Sequence, residues 1–150
     1  MYAGKARSGK FVPNNWEKYI GAADEIVYRS SWEKSALEFL DSNPNVIHWS
    51  YEDIIVPYLK PMPDGNLKLS RYIPDAYVEY RNKIGEIKKE IWEIKPKKQT
   101  KKSRSRKPQV KLYEDYTFAV NQAKWMAAEN YCKRNGFDFR IITETSIFGA

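Results

Sequence analysis

Two runs of aromatic and β-branched residues in the middle of the chain predict a β-hairpin. The first covers residues 72–80, the second covers residues 90–95, and Gly85 lies in the turn between them. Because successive side chains of a strand point to opposite faces, Trp92 and Ile94 are predicted to share one face of the second strand. The other face then carries the remaining side chains of that strand, Ile91, Glu93 and Lys95.

A helical pattern begins at residues 30–31, where either serine can serve as the N-cap. The helix is predicted to run to about Leu40 or Asp41, because Pro44 disfavours helical backbone at the residue before it. Glu33 precedes an apolar stripe at helical spacing, so it should lie on the inward face with Ala36, Leu37 and Leu40. The outward face carries Lys34 and Glu38.

The remaining elements complete an α/β chain. Further strands are expected at residues 46–51, 54–58 and 139–143, and the first hairpin strand is extended back to residue 69. A long helix is predicted at residues 113–135 and ends at Gly136. Residues 1–15 are expected to be a flexible or loosely docked basic arm. This order of elements is typical of an α/β domain with a mixed sheet flanked by helices.

Charged side chains converge on the predicted hairpin. Glu93 and Lys95 are neighbours on one strand face, and Asp75, which follows Pro74, lies within cross-strand reach if the hairpin pairs. Two carboxylates and a lysine are therefore predicted to meet at one point of the sheet. The simpler alternative is an exposed cross-strand charge pair, because a pattern as short as E-x-K often arises by chance.

The inward position of Glu33 requires a partner, because burying a lone carboxylate is costly. One explanation is structural: Glu33 caps the helix or interacts favourably with its dipole. The other is functional: Glu33 points at the same metal ion as Asp75 and Glu93. We favour the functional explanation.

Length and composition restrict the kind of site. The chain has 150 residues, 42% of them hydrophobic, which is enough for one domain with a sizeable core. A single cysteine, Cys132, and a single histidine, His48, exclude an internal disulfide and any cysteine-rich or histidine-rich metal site. A metal ion would need oxygen ligands, as Mg²⁺, Mn²⁺ and Ca²⁺ do. Neither a signal peptide nor a membrane span is recognisable, so an intracellular protein is expected.

The positive charge is concentrated in one segment. The net charge is +7, and residues 96–108 carry seven cations without an acid: Lys97, Lys98, Lys101, Lys102, Arg104, Arg106 and Lys107. Such a segment attracts the phosphate backbone and is poorly suited to reading bases, so it is interpreted as a DNA-binding loop. Lys124 and the N-terminal arm are weaker candidates for DNA contact. The alternative is a solvated linker or a localisation-like run.

The spacing of Pro74-Asp75 and Glu93-Ile94-Lys95 resembles the motif of the PD-(D/E)xK nuclease superfamily. The segments SSWEKSALEFLDSNPNV, HWSYEDIIVPY, RYIPDAYVEY and IWEIKPKKQ are similar to its TnsA-type transposon endonuclease branch. Length, motif spacing and the MY-G start look most like the head completion nucleases of T4-type bacteriophages. The resemblance covers most of residues 30–144 and implies a restriction-endonuclease-like core in a single domain.

The resemblance implies a role for each candidate residue. Asp75 and Glu93 would be metal ligands, together with the carbonyl of Ile94. Glu33 would complete the metal site directly or through water. Lys95 would orient or deprotonate the attacking water. The expected cofactor is Mg²⁺, with Mn²⁺ as a substitute.

The resemblance also implies a biological setting. The expected activity is that of a metal-dependent deoxyribonuclease with little sequence specificity, acting on packaged phage DNA during head completion, before tail joining. DNA and phage head or neck proteins are the expected partners, without a membrane. The expected location is the cytoplasm of the infected bacterium, with association with the virion as a second one. The alternatives are a non-catalytic DNA-binding or structural assembly protein, and a transposon-type or resolvase-type endonuclease.

Overall fold

The structure is a computed structural model that describes residues 8–22, 24–96, 100, 103–143 and 146. In chain order, its strands and helices are β1 (Gly9–Phe11), β2 (Ile26–Tyr28), α1 (Ser31–Ser42), β3 (Val46–Tyr51), β4 (Val56–Pro61), β5 (Leu67–Tyr72), β6 (Ala76–Arg81), β7 (Ile87–Ile94), α2 (Pro108–Asn135) and β8 (Asp138–Ile142). A short 3-10 helix, Trp16–Lys18, lies between β1 and β2.

The central sheet has four strands in the order β3-β6-β7-β8. β3, β6 and β7 are antiparallel, whereas β8 runs parallel to β7 and is reached through α2. The strands β1 and β2 form one two-stranded sheet, and β4 and β5 form another. The mixed sheet with its two helices confirms the predicted α/β class and is consistent with a restriction-endonuclease-like core.

The two helices cover different parts of the molecule. Apolar side chains of α1 pack with Trp49, Val78, Trp92 and Ile94 in the largest buried cluster. α2 packs chiefly on β4 and β8, over a second cluster that contains Tyr72. Neither helix of the described chain is long and apolar enough to cross a membrane.

The β6–β7 hairpin forms as predicted, with Gly85 at a φ of 86° in its turn. Positive φ suits a residue without a Cβ, which explains the glycine. The register pairs Ala76 with Trp92, so the residues just before β6 lie opposite the end of β7. The predicted alternation is also confirmed, because Trp92 and Ile94 contact the α1 cluster whereas Ile91 contacts a separate cluster around Cys132.

One prediction about this region is wrong: residues 69–80 do not form one strand. β5 ends at Tyr72 and β6 begins at Ala76, and the two strands belong to different sheets. The interruption coincides with Pro74, which has no N–H to donate to a sheet ladder. Asp75 therefore lies in a short crossing between two sheets, immediately before β6.

Residues 8–15, the described part of the arm predicted to be flexible or loosely docked, contact the rest of the fold. Within residues 8–15, β1 pairs with β2, and the backbone N–H groups of Asn14 and Asn15 each donate a 3.0 Å hydrogen bond to the Asp41 carboxylate. This part of the chain is therefore docked onto the end of α1. Residues 1–7 of the expected arm lie outside the described residues.

Several element boundaries differ from their predicted positions. The strand expected at residues 54–58 is β4, Val56–Pro61, and the final strand is Asp138–Ile142. α2 begins at Pro108, five residues before the expected start. Proline is favoured in the first turn of a helix because its missing N–H has no partner there anyway. The last residue of the predicted basic loop thus belongs to α2.

Candidate active site

Strand β7 presents Glu93 and Lys95 on the face opposite α1. Glu93 is only 7% exposed, and its Oε2 lies 3.5 Å from the Lys95 Nζ. Its Oε1 accepts a 2.5 Å hydrogen bond from the Tyr72 hydroxyl. The two oxygens of this carboxylate thus have different partners, a cation and a neutral donor. Ile94, between the two charged residues, points into the α1 core.

The crossing from β5 to β6 brings Asp75 to the same point. Its carboxylate accepts a 2.7 Å hydrogen bond from the backbone N–H of Ile94, the middle residue of the E-I-K sequence. Its backbone carbonyl accepts a 2.8 Å bond from the N–H of Glu52, and Pro74 beside it is fully buried. The predicted meeting of the Pro-Asp and E-x-K segments is therefore present, although Asp75 precedes the strand.

The pKa of Asp75 is shifted by burial and by the charged groups around it. Burial is the main reason that the pKa of Asp75 is raised well above its usual value, and the nearby charge of Glu93 adds to the rise. The Ile94 N–H and Lys95 oppose this rise in pKa, and Glu33 contributes to it. The structure therefore brings Asp75, Glu93 and Lys95 together, whereas Glu33 contributes only a lesser part of the rise in the pKa of Asp75.

Glu33 lies in the first turn of α1, half-buried as its helical position predicted. Its Oε1 accepts hydrogen bonds from the Tyr51 hydroxyl, at 2.5 Å, and from the Arg29 N–H, at 3.0 Å. The Ser30 side chain accepts the Glu33 N–H, so Ser30 is the N-cap. The cap is therefore Ser30, whereas the position of Glu33 in the first turn suits the helix dipole, and its role as a metal ligand stays a prediction. Glu38 and Lys34 are exposed, as expected.

The donors available for a metal ion are oxygens. Within the described part of the chain, no three His, Cys, Asp or Glu side chains are grouped closely enough to hold a metal ion together. Asp75 and Glu93 are the two carboxylates that meet at the end of β7. Both are hard donors that suit Mg²⁺ or Mn²⁺. After burial, the charge of Glu93 is the next cause of the raised pKa of Asp75, and a divalent cation would offset that charge. The donor set therefore fits such an ion.

Lys124 of α2 is a second lysine near these carboxylates, and it lies over the ring of Tyr72. Its Nζ lies 5.7 Å from the centre of the Tyr72 ring, a cation–π contact. Burial lowers the pKa of Lys124, while the charge of Glu93 acts in the opposite direction. Lys124 was predicted only as a weaker candidate for DNA contact, so its contact with Tyr72 is new.

Sequence reasoning missed the two tyrosines that donate to the site carboxylates, Tyr51 and Tyr72. Burial raises the pKa of both hydroxyls, so both remain donors at neutral pH. A usable signal existed, because a buried tyrosine hydroxyl usually needs a hydrogen-bond partner. Tyr72 is three residues before Asp75, and Tyr51 ends the strand that pairs with β6.

The predicted DNA-binding residues are only partly described. Arg104, Arg106 and Lys107 are exposed on the segment that leads into α2. The Ser103 hydroxyl donates a 2.5 Å hydrogen bond to Glu114, which ties the segment to the helix. The other members of the loop, Lys97, Lys98, Lys101 and Lys102, lie outside the described residues. DNA binding by the loop stays a prediction.

Residues 43–144 match the family described as TnsA-like endonuclease N terminal. The matched range contains the Asp75 and Glu93-Ile94-Lys95 segments. The chain belongs to this family of TnsA-like endonucleases. Its class of activity is therefore that of a nuclease.

A similar phage protein extends the comparison to residues before position 43. The chain is 37% identical to the head completion nuclease of Enterobacteria phage T4 over 154 residues, covering 95% of this chain and 94% of the phage protein. The similarity thus includes the N-terminal region and α1, which precede the matched family range.

Proposed function

We propose that the protein is a metal-dependent DNA nuclease of the PD-(D/E)xK type that hydrolyses phosphodiester bonds with little sequence specificity. The observation that carries this proposal is the 2.7 Å bond from the Ile94 N–H to Asp75. It joins the Pro-Asp segment to the E-I-K strand in a chain of a nuclease family. The arrangement of carboxylates and lysine is what metal-assisted phosphodiester hydrolysis requires.

The carboxylates form the metal-binding part of the proposed site. Asp75 and Glu93 would hold Mg²⁺, or Mn²⁺ in its place, with the Ile94 carbonyl as a further oxygen donor. Glu33 would complete the site directly or through water, while its Oε1 accepts the Tyr51 hydroxyl and the Arg29 N–H. When bound, the ion supplies positive charge at the phosphate and favours ionisation of the attacking water.

Lys95 is the proposed proton-handling and charge-stabilising group. Its Nζ is 3.5 Å from Glu93 Oε2, and its side chain is 25% exposed. The ion pair with Glu93 holds Lys95 in place, and the exposed part of the side chain is accessible to solvent and substrate. From that position its ammonium would orient the attacking water and stabilise charge that develops on the phosphate, and only its neutral amine would accept the proton of that water.

Substrate binding is assigned to the basic residues around the site. Lys124 lies over the ring of Tyr72, whose hydroxyl contacts Glu93, and the exposed Arg104, Arg106 and Lys107 precede α2. The remaining proposed contacts are Lys97, Lys98, Lys101 and Lys102. Cations that contact phosphates fix the register of a duplex without reading its sequence, which is the reason to expect little specificity.

The biological role follows from the named phage relative. We infer that the chain acts on phage DNA at head completion, as the name of its relative from phage T4 suggests. Head or neck proteins are then its proposed partners, and the infected bacterial cytoplasm or the virion its location. The role is tested with a phage from which the gene for this chain is deleted. Expression of the chain from a plasmid in the host should restore the assembly of infectious particles.

Supercoiled plasmid tests the activity. The purified protein is incubated with plasmid in Mg²⁺, in Mn²⁺ and in EDTA, and nicked and linear products are separated on a gel. Cleavage with either ion and none in EDTA is expected, and Asp75→Ala should lose cleavage while keeping its circular dichroism spectrum. Plasmid binding without cleavage in any condition would favour a non-catalytic DNA-binding protein instead.

A further inference from the structure

Tyr72 lies at the junction between the apolar interior and the proposed active site. It is the last residue of β5, directly before the crossing that carries Asp75, and it is 4% exposed. Its ring packs in the cluster beneath α2, with Val56 and Trp125 among its members. Its hydroxyl leaves that cluster and donates the 2.5 Å hydrogen bond to Glu93.

The hydroxyl of Tyr72 restrains rotation of the Glu93 carboxylate. The last torsion of a glutamate is broad and has two equivalent orientations, so the backbone of β7 does not fix the plane of the Glu93 carboxylate. Two partners on different oxygens do fix it: the Tyr72 hydroxyl on Oε1 and the Lys95 ammonium on Oε2. The hydroxyl is the uncharged and more buried of the two partners.

The ring of Tyr72 contacts the second cation of the neighbourhood. Lys124 Nζ lies 5.7 Å from the ring centre, and an aromatic face attracts an ammonium group. The same side chain therefore touches Glu93 with its hydroxyl and Lys124 with its ring. A core-filling role accounts for the ring but not for the hydroxyl, because phenylalanine would fill nearly the same space.

We propose that Tyr72 is a positioning residue, whose hydroxyl orients Glu93 for metal binding and whose ring holds Lys124 where the scissile phosphate binds. This inference rests on the proposed nuclease function. It assigns separate tasks to the two parts of one side chain. Loss of the hydroxyl should affect the metal ion, and loss of the Lys124 ammonium should affect DNA.

The test compares Tyr72→Phe with Lys124→Met. Mn²⁺ affinity is measured by calorimetry on the metal-free protein, and kcat and KM are measured by plasmid cleavage. For Tyr72→Phe we expect about 10-fold weaker Mn²⁺ binding and about 10-fold lower kcat, as for loss of other groups that orient metal ligands, with KM little changed. For Lys124→Met we expect a higher KM and Mn²⁺ affinity that is unchanged or slightly tighter.

Tyr58→Phe is the matched control. Tyr58 is a buried tyrosine of the same cluster on the adjacent strand β4, where it pairs with Ser70. Its substitution should leave Mn²⁺ affinity and kcat unchanged, so a general effect of removing a tyrosine hydroxyl from this cluster is detected by this variant. Circular dichroism and the melting temperature verify folding of all three variants. If Tyr72→Phe does not fold, Lys124→Met decides: unchanged KM overturns the proposal.

The outcomes separate this inference from the proposed function. If wild type cleaves plasmid and Tyr72→Phe matches it in Mn²⁺ affinity and kcat, the positioning role is overturned and the nuclease proposal stands. If Tyr72→Phe binds Mn²⁺ more weakly but wild type never cleaves, the orienting role is supported and the nuclease proposal fails. If wild type neither binds Mn²⁺ nor cleaves, both are overturned.

Discussion

Asp75 and Ile94 are joined by a 2.7 Å hydrogen bond from the Ile94 N–H to the Asp75 carboxylate. The bond connects the crossing between two sheets to the end of β7. It aligns the Asp75 side chain with the strand that carries Glu93 and Lys95. The position of Asp75 is therefore set by main-chain geometry on both sides, since its own carbonyl accepts the Glu52 N–H.

Asp75→Asn is expected to abolish cleavage and to stabilise the metal-free protein. The asparagine oxygen can still accept the Ile94 N–H, but the negative charge that burial and Glu93 disfavour is removed. We expect activity to fall at least about 100-fold. The melting temperature in EDTA should rise by about 2–4 °C, the shift that 1 kcal/mol gives in a domain of this size. A lower melting temperature would contradict this account of the site.

The stability of the metal-free protein should depend on the protonation of Asp75. Because the folded-state pKa of Asp75 lies above the unfolded value, the folded state binds this proton more tightly. The destabilisation is full at a pH above the folded pKa and disappears as the pH falls toward the unfolded value of about 3.9. Melting temperatures of wild type and Asp75→Asn in EDTA should therefore differ most at alkaline pH and converge on acidification. A difference that does not change with pH would contradict the raised pKa.

Glu33→Gln tests whether α1 contributes to the active site. Glutamine keeps an oxygen that can accept the Tyr51 hydroxyl and the Arg29 N–H, so the helix start should be preserved. Only the charge is lost. We expect cleavage to drop about 100-fold or more. The melting temperature without metal should stay the same or rise, because the negative charge beside Asp75 decreases.

Glu38→Gln is the control for this experiment. Glu38 is on the exposed face of the same helix, so its substitution should change neither the cleavage rate nor the melting temperature. Both variants are assayed with the same plasmid and the same Mg²⁺ concentration. Equal activity of the two variants would leave Asp75, Glu93 and Lys95 as the whole catalytic set.

Neutralising the basic loop should weaken DNA binding without changing the chemical step. In a variant with glutamine at Lys97, Lys98, Lys101 and Lys102, each lost phosphate contact should reduce the log–log salt slope by up to about 0.9. The rate at saturating DNA should be retained. The control replaces four exposed lysines elsewhere, Lys34, Lys83, Lys89 and Lys133. An unchanged slope in the loop variant would show that the loop does not contact DNA.

Much of this fold was predicted from local sequence patterns, because helices, strands and turns depend on residues that are close together in the sequence. The inward side of α1, the turn at Gly85 and the alternation along β7 each follow from spacing within a few residues. The meeting of Asp75 with β7 was also accessible, because a hairpin register relates the two segments directly. Boundaries were less accurate where strand ends are polar, as at Lys88 and Lys89, which precede the predicted start of this strand at residue 90.

The missed features depend on contacts that sequence spacing does not encode. The segment that ends at Tyr72 and the run that follows Pro74 look like one strand in the sequence, although they belong to different sheets. The contact between Lys124 and Tyr72 joins α2 to β5, and no short-range pattern relates them. The docking of residues 14–15 on Asp41 likewise uses backbone donors of an unremarkable segment.

The topology of the central sheet also has a consequence for the order of folding. β6 and β7 are joined by a short turn, so their pairing closes a small loop and brings Asp75 beside Glu93 at little entropic cost. The parallel pairing of β7 with β8 must wait for residues 95–137, including α2. We therefore expect the carboxylates to meet before Lys124 arrives. Pulsed hydrogen exchange should protect the amides of β6 and β7 earlier than those of β8, and simultaneous protection would exclude this order.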